Sequence, residues 1–235
     1  MPSMLQLHPT LSLSTLEENM VPIKGGIMEI QGVNIQLDDF ELCRYPVSQQ
    51  LWYDVMGAYP ERIKFQNPHR PVEGVSWNDI QIKFLPVLRD KTREGIWCLP
   101  TEAQWEYAFR GGRLESKSFS FGSSNEFNEV GWSRDTSFEE TQIPGCKRPN
   151  ILGLYDMAGN GCEWCFDKYD GDYFSSLRKM DCKNKVTNPS GPNDGEYNVV
   201  RGGSWNGNPY EARFYERDYF HYRNPSNHLV FRICR

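Results

Sequence analysis

The side chains best equipped for chemistry sit in Cys162-Glu163-Trp164-Cys165, two thiols at the spacing of a redox motif or of half a zinc site. A four-ligand zinc site needs a second half, and no second such pair exists. The seven cysteines (Cys43, Cys98, Cys146, Cys162, Cys165, Cys182 and Cys234) form no repeating framework, and the histidines are His8, His69, His221 and His228. An odd number leaves at least one thiol unpaired within the chain. Most of these cysteines are read as buried thiols that act as small hydrophobes. Asp167, Asp170 and Asp172 read as a solvated acidic loop rather than a metal site.

The second concentration of chemistry is the tail. Arg201-Gly202-Gly203-Ser204-Trp205 opens a run in which the eighteen residues from Trp205 to Tyr222 include seven aromatics, Trp205, Tyr210, Phe214, Tyr215, Tyr219, Phe220 and Tyr222. At the chain's overall 14% aromatic content, two or three would be expected. Interleaved with Arg213, Glu216, Arg217, Asp218, His221 and Arg223, such rings cannot all enter a core. Tyr-rich mixtures of this kind make binding surfaces, because Tyr offers large contact area at low entropic cost plus a hydroxyl. The competing reading is a Tyr-rich sheet whose rings lie half-buried.

The elements that must position these residues are unevenly legible. Met28 to Ile30, Val33 to Leu37 and Phe40 to Arg44 alternate as strands do, with Gly32 turning after the first. Ser48 caps a helix through Leu51, Trp52, Val55 and Met56 that Gly57 ends. Ser76 caps a second carrying Ile80, Phe84, Val87 and Leu88, which Pro86 must kink or shorten. Thr101 and Gln104 form the capping box of a third, running to Arg110 and stopped by Gly111-Gly112. After Gly112 no convincing helix is found, and Gly, Asn, Pro and Asp between short apolar pieces predict a loop-rich body with short strands. Residues 1–20 are weakly patterned and expected to form a loosely held arm, with one domain over 21–235.

With 235 residues, 24% of them charged, the chain has ample core for that domain. A net charge of −5 without a basic stripe argues against nucleic acid as a partner. No apolar run reaches membrane-spanning length, and Met1-Pro2-Ser3-Met4 begins no recognisable signal peptide, so the chain reads as soluble with its compartment open.

Several segments together resemble the formylglycine-generating-enzyme/sulfatase-modifying-factor family. They are Tyr45-Pro46-Val47-Ser48, Pro71 to Trp77 (PVEGVSW), Leu99 to Ala108 (LPTEAQWEYA) with Arg110-Gly111-Gly112, Gly153 to Asn160 (GLYDMAGN), Glu163-Trp164, Arg201 to Trp205 and Phe231-Arg232. They run in family order from about residue 21 to the end. The resemblance implies an α+β, C-type-lectin-like fold of the formylglycine-generating-enzyme type, with two main helices, short mixed sheets and much irregular structure.

Fold does not give function. Aerobic oxidases of the family use two cysteines shortly after Arg-Gly-Gly-Ser to bind copper and activate oxygen, and the matching positions here are Gly207 and Ala212. Neither can replace a thiolate, so the expectation is that the chain is not an enzyme. Members also coordinate calcium through carbonyls and a glutamate, matching Ala158, Gly159, Gly161 and Glu163; the alternative is Glu163 hydrogen-bonding local amides. Calcium is the single cofactor the resemblance implies.

The tail is similar to another branch, variable proteins diversified by retroelements, in which template asparagine codons are mutated at adenines. Such scrambling reaches Tyr, Phe, His, Asp, Ser, Gly, Asn and Val, but not Glu, Lys or Trp. Gly207, Asn208, Tyr210, Phe214, Tyr215, Asp218, Tyr219, Phe220, His221 and Tyr222 all fall within the reachable set, as do His228 and Val230; Glu211 and Glu216 would be fixed scaffold. The first ten of these are the expected ligand contacts, within a variable segment of about 201–235. The resemblance thus implies a protein or other macromolecule as partner, and a cell-surface or extracellular location if a targeting segment precedes the chain. Two alternatives remain. One is an oxidoreductase with an atypical active site, for which Cys162 and Cys165 beside Trp164 are the plausible residues. The other is a structural module whose Tyr219 and Tyr222 pair with another subunit.

Overall fold

The computed structural model describes residues 10–93, 96–114, 119–180 and 185–235. Cys182, His8 and the first nine residues of the expected arm lie outside these. From residue 10 the arm is not loose: Leu11 and Leu16 are buried in the core.

Two short sheets precede the helices. β1 (Met20–Ile23) pairs antiparallel with β4 (Phe40–Cys43). β2 (Ile27–Ile30) and β3 (Val33–Gln36) form a hairpin, closed by Gln31 and Gly32 at φ 49° and 79°. Positive φ at both central residues matches the turn twist to the strand twist. The α1 helix (Gln49–Met56) starts at Ser48, whose Oγ accepts the Leu51 N–H at 2.9 Å, and stops at Gly57 in the left-handed region. Its buried face is Leu51, Trp52 and Val55, and Trp52 stacks on Phe84 at 5.1 Å.

Pro86 is absorbed rather than disruptive. Between α2 (Trp77–Asp79) and α3 (Leu85–Thr92), residues Ile80–Phe84 widen into a π turn, and the Leu85 N–H reaches the Ile80 carbonyl. The wider turn leaves room for a ring that lacks a donor. The capping box predicted at Thr101 and Gln104 opens α4 (Glu102–Phe109). Among the described residues two α-helices do follow Gly112, contrary to expectation: α5 (Phe127–Val130) and α6 (Tyr173–Met180). The first is a single turn. The second packs Phe174 and Leu177 on the core, an i, i+3 pair hidden by flanking Asp and Gly residues.

The sheet that matters for function has the order β8-β7-β5-β9, formed by β5 (Cys162–Lys168), β7 (Tyr197–Arg201), β8 (Asp218–His221) and β9 (Leu229–Val230). The remaining strand, β6 (Lys185–Thr187), runs parallel to β3. Both faces of β5 and β7 are covered. Cys165 and Val199 join one core with β2, β3 and α4, while Trp164 and Val200 join another with α1, α3 and Phe231. β8 lies at the edge, so its residues meet solvent.

Candidate ligand-binding surface

Buried ion pairs fix the frame from which β8 projects. Arg201, at the end of β7, is wholly buried and reaches Glu102 at 2.9 Å and Glu106 at 2.8 Å. It also donates to the Phe214 carbonyl. Arg217, just before β8, grips both oxygens of Glu102 at 2.7 and 2.8 Å. The chain is thereby tied to α4 just before the aromatic run and again within it, ahead of β8. Buried charge is tolerated only when paired, and each of these guanidinium groups has its carboxylate. Burial pushes Asp167 up to about 8, and it raises Glu106 against the opposing pull of Arg201 and Arg110. Between the anchors, Gly202 at φ 96° brings the backbone so close to the Met157 carbonyl that a Cβ would stand 2.6 Å from its oxygen.

The displayed residues fall into two patches. On β8, Tyr219 and His221 share one face with Tyr197 of β7, as the register places Tyr197 opposite His221 and Val199 opposite Tyr219. Tyr219 lies 4.3 Å from Tyr169 and 5.2 Å from Tyr197, ring centre to ring centre, and His221 stacks on Tyr222 at 4.9 Å. The Lys168 ammonium, its pKa lowered by burial, sits 4.6 Å from the Tyr222 ring and 4.9 Å from Trp77. In the second patch the Arg213 guanidinium covers Tyr210 at 4.5 Å and donates to the Tyr215 hydroxyl at 3.0 Å. Tyr210, Tyr215 and Tyr219 are 64%, 48% and 45% exposed.

The other expected contacts differ in kind. Asp218 is exposed, and its carboxylate accepts the Tyr219 N–H at 2.7 Å. Asn208 is exposed and caps the turn Pro209–Ala212. Phe214 is half-buried under Arg110 at 5.1 Å, and Phe220 is half-buried against His228 and Trp164. Gly207 is buried, with its carbonyl taken by the Arg134 N–H, so it offers no contact surface. Sequence reasoning missed Tyr169, Tyr197, Lys168 and Trp77, because strand register brings the first three to the patch, the packing of α2 on β5 brings Trp77, and no local signal announces either.

The thiol reading is corrected by the strand. Cys162 and Cys165 are three apart on β5, so they point to opposite faces and into different cores. Burial pushes Cys162 up to about 12 and Cys165 well above the usual thiol range. Neither is a ready thiolate, and they cannot share a metal.

The calcium set is corrected as well. Both Glu163 oxygens are held by Arg232, at 2.6 and 2.5 Å, and one also accepts the Trp105 indole N–H at 2.7 Å. With Glu163 committed, Ala158, Gly159 and Gly161 could offer carbonyls alone, which do not fit a divalent cation that seeks carboxylate charge. The alternative of Glu163 bonding local amides is displaced by the same pair. Asp167 is buried rather than solvated, and its carboxylate accepts the Glu102 N–H at 2.8 Å. Among the described residues no three His, Cys, Asp or Glu side chains cluster as a metal site would require. No helix among them is long and apolar enough to cross a membrane.

Comparison with known proteins agrees with this architecture. The sulfatase-modifying factor enzyme 1-like domain model matches residues 10–235. The chain is 32% identical over 176 residues to the formylglycine-generating enzyme of Streptomyces coelicolor, covering 66% of this chain and 50% of that enzyme. It is 29% identical over 207 residues to the chaperone protein LppX of Paenibacillus barcinonensis, covering 73% of that relative. Among solved structures it superimposes on Treponema denticola variable protein 1 with a TM-score of 0.77 and 24% identity, over 92% of this chain and 94% of that one. PvdO from Pseudomonas aeruginosa gives a TM-score of 0.73 at 20% identity, over 92% and 93%. These likenesses establish the α+β, C-type-lectin-like fold that the motifs implied. The chain belongs to the sulfatase-modifying factor enzyme 1-like family.

Proposed function

We propose that this chain is a non-enzymatic ligand-binding protein that displays a diversified, aromatic-rich surface from its C-terminal segment. The observation that carries the reading is the contrast between frame and display. Arg201 and Arg217 lock the segment to α4, while Tyr210, Tyr215 and Tyr219 stay 45–64% exposed. A surface fixed beforehand loses little binding energy to ordering. Tyr210, Phe214, Tyr215, Asp218, Tyr219, Phe220, His221 and Tyr222 are its contact residues, with Asn208 at the rim. The partner is a protein or other macromolecule, since the rings are spread over two patches rather than gathered in one pocket.

Selecting ligands for the wild-type chain from a displayed library of protein domains tests this. Each of Tyr210→Ser and Tyr219→Ser should weaken the selected ligands by roughly 1–3 kcal/mol, as truncated interface anchors do. Ligands whose affinity ignores both changes would count against the reading.

The kinship with formylglycine-generating enzymes favours a second reading, an oxidoreductase with an atypical site. Gly207 and Ala212, which the resemblance sets at the positions of the oxidases' cysteines, argue against it, as do the raised thiols of Cys162 and Cys165. Aldehyde formation in a cysteine-bearing peptide supplied with copper and oxygen would establish that second reading.

A further inference from the structure

A groove of about 630 Å³ lies beside the display segment. It has β2 along one wall, Phe214, Tyr215 and Arg217 along the other, and Glu106 and Arg110 of α4 at its base. One wall therefore belongs to the display segment. The other is a strand edge, since β2 pairs only with β3 in the order β2-β3-β6 among the described residues.

The register fixes what that edge presents. The Leu37 N–H donates to the Gly26 carbonyl at 2.9 Å, which makes 26 and 37 a hydrogen-bonded pair. Pairs alternate along an antiparallel ladder, so Met28 with Ile35 and Ile30 with Val33 exchange the next bonds. The backbone N–H and C=O groups of Ile27 and Glu29 then point away from β3, into the groove. Arg110 takes one of the four, donating to the Glu29 carbonyl at 2.9 Å while its guanidinium covers Phe214. The Ile27 N–H and C=O and the Glu29 N–H have no partner among the described residues. The Ile27 side chain, 60% exposed, lies beside them.

A row of outward donors and acceptors at every second residue is complementary to another extended backbone, and strand addition is a recurring mode of peptide capture. We propose that this groove receives an extended polypeptide segment of the ligand, which adds as a strand to the free edge of β2 and packs its side chains on Phe214 and Tyr215. The proposal rests on the display reading and names the ligand class: a peptide segment able to lie extended. Backbone pairing at β2 would supply affinity common to many sequences, and Phe214 and Tyr215 would supply the selectivity.

Amide exchange read residue by residue tests it, with peptides selected from a random library on the wild-type chain as the probe. Bound peptide should slow exchange at the Ile27 and Glu29 amides by about tenfold, while Met28 and Ile30, already bonded to β3, stay unchanged. Ile27→Pro deletes an outward N–H without touching the β3 ladder and should weaken the peptide about tenfold. If that variant fails to fold, N-methylation of successive peptide residues makes the same test, and one position should abolish binding. Peptides that depend on Tyr210 or Tyr219 yet leave β2 exchange unchanged would overturn the groove proposal and leave the display reading standing. Failure to select any peptide overturns the groove proposal. Protection at Ile27 and Glu29 that grows with protein concentration alone overturns it too, because a second copy would then occupy the edge.

Discussion

Glu163 and Arg232 are invisible from solvent, each 0% exposed, and they close the C-terminal segment onto β5. Arg232 also donates to the Cys43 and Tyr155 carbonyls at 3.0 Å, so one guanidinium ties the tail to the first half of the chain. Removing one partner of such a pair leaves an uncompensated buried charge. Arg232→Met should therefore cost about 3–5 kcal/mol in urea unfolding, and a loss below about 1 kcal/mol would show the pair to be dispensable. Because Glu163 is committed, added calcium should leave the melting temperature where it was; a rise would restore the calcium site. Among single residues, the sequence disclosed which rings are unusual but not which face water. Phe220 and Tyr219 are neighbours of similar chemistry, and only the pleat of β8 turns one inward and the other out. Glu163 carried a family motif, yet the partner that claims it lies 69 residues away in the chain.

At the scale of elements, the helices of the first half were legible from their caps. Ser48, Ser76 and Thr101 each hold the backbone amide that local chemistry assigns them. The π turn was not legible, because Pro86 announces a disturbance but not its form. Nor was the pairing of β8 with β7, which depends on how the Gly202-Gly203 bend returns the chain. That bend makes a prediction. Gly202→Ala would place a methyl against the Met157 carbonyl in a backbone region that L residues avoid, and should destabilise by about 1–3 kcal/mol. Gly207→Ala would meet first the tip of the Glu211 side chain, which can swing aside, and should cost less than half as much. Equal costs at the two positions would mean that the bend does not hold the display segment in register.

For the whole molecule, the buried acids shape the pH response, Asp156 and Asp167 foremost. Burial pushes Asp156 up to about 7 and Asp167 up to about 8. Raised folded values mean that the fold holds protons the unfolded chain has released. The contribution to stability is complete below about pH 4 and disappears as pH climbs through 7 and 8. Stability should therefore decline from pH 5.5 to pH 8, by on the order of 1 kcal/mol per pH unit. Asp167→Asn, which keeps the acceptor for the Glu102 N–H, should flatten that slope; an unchanged slope would place the titration elsewhere. The same molecule must keep its frame indifferent to what it displays, because Tyr210, Tyr215, Tyr219 and Tyr222 lie outside both cores. Replacing Tyr210, Tyr215, Tyr219 and Tyr222 together by Ser and recording the melting curve measures that independence. A midpoint within about 5 °C of wild type, beside lost binding of the selected ligands, is the predicted result. A chain that no longer folds cooperatively would contradict the account, since the tyrosines would then be structural rather than displayed.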